Sequence, residues 1–218
     1  MKNGYIYAPP LAPLDIIHAD EALIIVNKPA NLLSVPGKAL EHADCLETRL
    51  RAEFPDTLLV HRLDMATSGV MIFARTKAAQ RHIGMQFEKR QIRKTYVAKV
   101  WGQLAQDSGH IDLPLIVDWP NKPKQKVCHE TGKTAQTDWK VLARTDTVTR
   151  VALYPRTGRT HQLRVHMLAI GHPILGDRFY ATGPAFTAAK RMQLHASEIT
   201  LRHPEGGAEM TFTSKVPF

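Results

Sequence analysis

Cysteine is scarce in this chain of 218 residues, and that scarcity is its first constraint. Cys45 and Cys128 stand far apart, with no CxxC pair and no paired histidine spacing. Neither a disulfide framework nor a zinc ribbon is therefore expected, and a reducing cytoplasm is the natural setting. Long hydrophobic runs are missing too. No stretch approaches the roughly 20 apolar residues of a membrane span. The N-terminal MKNGYIYAPPLAP lacks the continuous apolar core of a signal peptide and is broken by Pro9, Pro10 and Pro13. Acidic residues are outnumbered: 29 Lys and Arg against 20 Asp and Glu leave a net charge of +9, with a pI near 9.7. That excess favours an acidic partner, nucleic acid first. The eleven histidines add charge only at mildly acidic pH. What remains is ordinary for a globular protein, 44% hydrophobic and 22% charged, in a chain long enough to bury a sizeable core.

Three prolines forbid a regular ladder near the start, so residues 1–13 are expected to form a tail. Residues 14–17 and 22–28 are β-branched runs separated by Ala19-Asp20-Glu21, a hairpin pattern. Lys28 closes it before Pro29, either as a site residue or as the solvated lysine that commonly ends a strand. Asp44 followed by Glu47 reads as a capping box with Asp44 at the N-cap, opening a helix through Leu46, Leu50 and Phe54 that Pro55 stops. Thr76 caps a second helix to about residue 90. Ile83 and Phe87 form its apolar face, and Lys77, Arg81, Lys89 and Arg90 a basic one that serves RNA contact or plain solvation.

Residues 95–101 alternate and predict a strand ending at Gly102, with a further short strand over 111–117 broken at Pro114. WPNKPKQK, residues 119–126, is a stiff loop with three lysines and Trp119, suited to phosphate or to solvent. Strands near 134–143 and 149–154 are joined through Thr145-Asp146-Thr147. In RTGRTHQLRVHMLAIGHPILGD, residues 156–177, Gly158 lets the backbone turn and Thr160 caps a helix. Leu163, Met167 and Ile170 share one face of it until Gly171 ends it. Arg156 and Arg159 flank the N-terminus of that helix, a ready place for a phosphate. Residues 193–201 and 209–213 close the chain as strands. About nine strands against three or four helices, with hairpins prevailing, predict an α+β fold: a mixed, mainly antiparallel sheet flanked by helices and loops, in one domain over residues 14–218.

The stretch that concentrates chemistry is HRLDMATSG, residues 61–69. A strand is possible over 60–63, but Asp64, Thr67, Ser68 and Gly69 are turn formers, so the segment leaves a strand into a tight loop before the buried strand predicted over 70–74. Asp64 is thereby presented between two core elements. HRLDMATSG resembles the active-site signature of the RluA-type pseudouridine synthase family. KTYVAKVWG, RTGRTHQLRVHM and GHPILGDRFY follow in the family's order, and the resemblance extends over residues 14–212. LPLIVDWPNKPKQKV and HMLAIGHPILGDRFYA are similar to the short branch acting on both 23S ribosomal RNA and transfer RNA, which lacks an N-terminal S4-type module.

The resemblance implies a catalytic Asp64, with Arg164 pairing it in the pocket and Tyr96 of the KxYxA motif stacking on the target base. It places Leu194 in the uracil pocket and Arg62 in the gap or on the backbone once the base is extruded. An arginine fork can hold a carboxylate bidentately and keep it ionised. The implied reaction breaks the N1 glycosidic bond of uridine and joins C5 to C1′, with no cofactor or metal. Asp64 acts as a nucleophile or as a base at the ribose, and the sequence leaves both routes open. The expected partners are stem-loops of 23S rRNA and tRNA, with no membrane and no obligate protein partner, the chain acting as a monomer. Three rivals stand beside this reading. A noncatalytic RNA-binding protein accounts for the charge. A metal hydrolase draws on His161, His166, His172 and Asp177, at spacings that fit no HExxH helix. A glycoside hydrolase wants a second partnered carboxylate, and no comparable motif supplies one.

Overall fold

The computed structural model describes residues 7–218. The chain forms two compact units, one comprising the chain up to Ile92 with Thr200–Lys215, the other Arg93–Ile199 with Val216–Phe218. The divide falls at the first residue of a strand rather than in a glycine- or proline-rich linker, so composition gives no sign of it.

In the first unit, β1 (Ile16–Ala19) and β2 (Leu23–Lys28) make the expected hairpin. Its turn is set by Asp20, whose carboxylate accepts the N–H groups of Ala22 and Leu23 at 2.8 Å. Helix α1 (Leu46–Glu53) follows, capped one residue later than expected. Cys45 is the N-cap: its Sγ accepts the Thr48 N–H at 3.4 Å, and Thr48 Oγ1 accepts the Cys45 N–H at 3.0 Å. Asp44 instead receives the Arg49 guanidinium through two 2.7 Å bonds, a charge-assisted fork that a cap would forgo. Residues 7–10 are held rather than loose, since Tyr7 donates its hydroxyl to Asp44 O and Arg49 donates to Pro10 O, both at 2.8 Å. The rest of the expected tail before Tyr7 lies outside the described residues.

The two-residue β3 (Leu58–Leu59) and the long β4 (Ser68–Ala74) pair antiparallel, while β2 takes the opposite edge of β4 from Leu23↔Ala74 to Lys28↔Gly69. β4 is buried at every position. Burying Met71, Ile72 and Phe73 contributes about 1.5–3 kcal/mol each relative to exposure, which pins the register of the strand that follows Asp64. Helix α2 (Lys77–Glu88) starts where expected, with Thr76 Oγ1 accepting the Ala79 N–H at 3.0 Å. Its buried face holds Ala79, Ile83 and, unexpectedly, Gln86. The Gln86 amide acts as a one-residue strand partner for Arg202, donating to its carbonyl at 2.7 Å and accepting its N–H at 2.8 Å.

In the second unit β5 (Arg93–Trp101), β6 (Ser108–Asp112), β9 (Gln136–Arg144) and β10 (Val148–Pro155) pair antiparallel in the order β5-β10-β9-β6. Between β6 and β9, β7 (Leu115–Val117) and β8 (Gln125–Val127) make a separate hairpin, and Pro114 divides β6 from β7 as expected. Helix α3 (Gln162–Ala169) corrects two expectations. Thr160 is not its cap; the N-cap is His161, left-handed at φ 55° with no side-chain cap bond. Gln162 anchors the turn instead: its Oε1 accepts the Thr157 hydroxyl at 2.6 Å and the Arg159 N–H at 3.0 Å, and its Nε2 donates to Gln136 O and Thr137 Oγ1 on β9. Every residue from Gln162 to Met167 is buried, so the helix shows no single apolar face. A short α4 (Gly183–Thr187) precedes β11 (Leu194–Arg202), which neighbours β5. In the first unit the end of β11 pairs with β12 (Glu209–Thr213). The described residues thus hold twelve strands and four α-helices, an α+β fold as predicted, with more and shorter strands than the period-2 pattern revealed.

Because Gln86 is 3% exposed and satisfies both backbone groups of Arg202, Gln86→Leu should lower the unfolding free energy by about 1–3 kcal/mol. Urea denaturation checks it: an unchanged midpoint would show the two bonds to be dispensable.

Candidate active site

Asp64 lies half-buried in the loop that enters β4, and the expected strand over 60–63 is absent. The reason is a side chain: His61 Nε2 accepts the Ile72 N–H at 3.0 Å, so the ring takes a ladder bond that a strand neighbour would have made. The loop closes through the Thr67 N–H to Asp64 O at 3.0 Å and enters β4 at Ser68, followed by Gly69, whose φ of 116° is open to glycine alone at low cost.

With no ladder of its own, the segment around Asp64 is gripped on both flanks by residues 28–34. On the N-terminal side, Ser34 Oγ donates to Leu63 O at 2.7 Å and accepts the Leu63 N–H at 3.2 Å. On the C-terminal side, Met65 O accepts the N–H of Asn31, itself left-handed at φ 66°, at 2.8 Å and the Lys28 ammonium at 3.0 Å. Lys28 also donates to Leu32 O at 2.7 Å and Pro29 O at 2.9 Å, so its three N–H bonds all end on carbonyl oxygens. Lys28 is wholly buried. That corrects the solvated reading of this lysine: the stem packs in the core and the head replaces a missing strand partner. Burial pushes its pKa down to about 7, while the Asp64 carboxylate pulls the other way.

In the second unit, Arg164 is a buried cation held in a carboxylate fork. Its Nε and Nη2 each donate to Asp177 at 2.7 Å, with 4% and 0% of the two side chains exposed. The guanidinium lies 5.2 and 5.0 Å from the ring centroids of Phe179 and Tyr180. Such a fork with ring contacts fixes the guanidinium plane. Tyr180 is fixed in turn, its hydroxyl bonded to the His161 ring at 2.7 Å and accepting the Gln125 N–H at 2.8 Å. Tyr96 stands half-buried on β5 opposite Leu153, and Leu194 is buried as the first residue of β11. Arg156 and Arg159 do flank the turn before α3, but each has an internal partner: Arg156 pairs with Asp138, and Arg159 Nε donates to Thr134 O at 3.0 Å. Lys94 joins them, its ammonium 4.0 Å from where a Cβ on Gly158 would sit, and burial lowers its pKa. Arg62 is exposed.

The histidines of the metal rival have separate partners. His166 bonds Thr137 Oγ1 and Leu113 O, His172 bonds Trp101 O, and Asp177 holds Arg164. Sequence reading left Lys28 open between site and solvent, read Asp177 only as part of a metal set, and missed Ser34. The available signal was the polar pair Asn27-Lys28 ending an otherwise apolar strand before Pro29, and the Asp closing GHPILGD.

Comparison with known proteins bears directly on this arrangement. The model of the RNA pseudouridylate synthase family matches residues 22–169. A Yersinia pestis protein named dual-specificity RNA pseudouridine synthase RluA is 57% identical over 204 residues, covering 93% of this chain and 99% of that protein. The Escherichia coli K12 protein of the same name is 54% identical over 214 residues, 97% and 98% of the two chains. Among solved structures, human RNA pseudouridylate synthase domain containing 1 superposes with a TM-score of 0.78 at 29% identity, covering 100% of this chain and 87% of that one. Human RNA pseudouridylate synthase domain containing 4 does so at 0.73 and 26%, covering 93% and 88%. With the family model matched from β2 through α3 and near-complete relatives above half identity, this chain belongs to the RNA pseudouridylate synthase family.

Proposed function

We propose that this enzyme isomerises loop uridines to pseudouridine in both 23S rRNA and the anticodon stem-loop of tRNA, with Asp64 as the catalytic carboxylate. The observation that carries the assignment of Asp64 is the two-sided grip of residues 28–34 on its flanks. The dual specificity is supported by the names of relatives that match this chain over nearly its whole length. A monomer working in the cytoplasm completes the reading, and no helix among the described residues is long and apolar enough to cross a membrane.

A base inside a stacked helix hides its glycosidic bond, so the target uridine is flipped out at a cost of a few kcal/mol, least in a loop already unpaired. Asp64 then acts on the flipped nucleotide, as nucleophile or as base at the ribose. The C1′–N1 bond breaks, the base turns, C5 bonds to C1′, C5 loses its proton and N1 gains one, and any bond formed to Asp64 on the nucleophilic route is broken again, so the sum is an isomerisation. Both routes need an ionised carboxylate in a set place. Arg164, anchored by Asp177, is assigned as the guanidinium that pairs with Asp64; its motif position and rigid setting support this. Tyr96 stacks on the base, Leu194 lines the uracil pocket, Arg62 meets the RNA around the vacated position, and Arg156 and Arg159 face phosphates. No cofactor or metal takes part, since the rearrangement is neither a redox step nor a net hydrolysis.

Two outcomes are expected. Asp64→Asn should abolish pseudouridine in both stem-loops, mapped by carbodiimide-dependent primer stops, while RNA affinity stays within about threefold, because a neutral amide removes no phosphate contact. Product formation by this variant would remove Asp64 from the chemistry. The second concerns Lys28. Between pH 7 and the ordinary lysine value the unfolded chain holds a proton that the folded chain has released, so this residue makes stability rise with pH across that window, by up to about 1.4 kcal/mol per pH unit. Urea unfolding from pH 7 to 9 should therefore show a rise in the wild type that Lys28→Met lacks. Parallel profiles would mean that burial does not depress this ammonium.

A further inference from the structure

We propose that the outward face of α2 is a phosphate-binding track that carries a strand of the substrate RNA to the Asp64 loop, an inference that rests on the pseudouridine synthase reading. Lys77, Arg81, Met85 and Lys89 are all exposed and recur every fourth residue, so they form one stripe about 18 Å long. Arg90 continues it just beyond the helix end. Other arginines of the same unit are committed internally: Arg49 to Asp44, Arg51 to Glu47, Arg75 to Asp56. Among the described residues no ion pair uses Lys77, Arg81, Lys89 or Arg90. Glu88 is the single acid of α2 and does not neutralise four cations.

Two contacts aim the stripe. Gln80 Nε2 donates to Leu59 O at 2.8 Å, and the Phe87 ring lies 4.9 Å from that of His61. The helix therefore runs beside residues 59–61, and its C-terminal end comes level with His61, where exposed Arg62 leads on to Asp64. Cations spaced along a helix, with no aromatic between them, hold phosphates and read no base. That suits an enzyme whose targets lie in two different RNA sequences: a flanking strand can be held in the same way whatever its bases.

Gly84 sits in the middle of this face, and a Cβ there would meet open space. A side chain can be added at this point without disturbing the fold, which makes a gain-of-function test possible. Binding of the anticodon stem-loop would be measured from about 50 to 200 mM salt, where each phosphate contact adds about 0.7–0.9 to the slope of log affinity against log salt. Gly84→Lys should steepen the slope by about that amount and tighten binding several-fold; Gly84→Gln, similar in size and uncharged, should not. Arg81→Gln and Lys89→Gln should each flatten the slope by a similar amount and weaken binding about three- to tenfold. Thermal melting of each variant reports on folding. Slopes that superimpose on the wild type for all four, in an enzyme that makes pseudouridine, would overturn the track. A wild type that makes no pseudouridine on either stem-loop would overturn the functional reading instead, and shifted slopes would then leave α2 as an RNA-binding surface of a different protein.

Discussion

A wholly buried lysine head with three carbonyl oxygens around it is what the Asp64 loop depends on. Residues 60–67 run without a strand partner, because β3 ends at Leu59 and the His61 ring has taken the Ile72 amide. A chain so released has to be fixed by side chains. Lys28 does so by tying its own turn, through Pro29 O and Leu32 O, to Met65 O beyond the carboxylate. Hydrogen bonds from a charged donor are worth roughly 1.5–3 kcal/mol each, yet removing an ammonium from water costs several kcal/mol. Burial depresses the Lys28 pKa against the pull of the Asp64 carboxylate, so desolvation is the larger of these two effects on the head. The position is thus poor for stability and good for placement, the pattern expected of a residue kept for the site it builds.

Arg164 solves the same problem by other means. Where Lys28 spreads its three donors over backbone oxygens, the planar guanidinium takes one carboxylate edge-on and packs near two rings. A fork in this setting has essentially one orientation, whereas a lysine head rotates among acceptors. A lysine accordingly gathers three carbonyls from two stretches of backbone at one point, and an arginine holds a direction.

Much of the scaffold was legible because periodicity carries it. The apolar run of β4, the alternation of β5, the hairpin of β1 and β2 and the capped start of α2 follow from residue type and spacing alone, and each is found close to its expected place. What stayed hidden is uniform in kind: one polar side chain bonded to backbone far away in the sequence. Ser34 meets Leu63, Lys28 meets Met65, and Gln86 meets Arg202. No repeat announces such a bond, and intrinsic preference points the wrong way, since a lysine or glutamine is read as solvated. The misassigned caps come from competing side-chain bonds, one of them local. Asp44 is the better cap by propensity, but the Arg49 fork takes it and leaves Cys45 to serve. Thr160 yields to Gln162, which reaches β9 as well as the turn.

That two of these hidden bonds, from Ser34 and Lys28, flank Asp64 fits the role proposed for it. Side chains alternate along a strand, and its backbone is committed to its neighbours, so a carboxylate on a strand is placed by the whole sheet and moves only with it. A loop can point a carboxylate anywhere but gives up the ladder that would hold it still. Gripping Leu63 and Met65, the two residues on either side of Asp64, recovers the stiffness without the alternation. The loop then keeps its freedom of direction while both of its flanks are tied to β2 and the turn that follows it, and β2 is bonded along its length to buried β4. Polar bonds of long sequence separation are therefore the expected signature of a placed catalytic group, and their absence from any local pattern is a consequence of the same requirement.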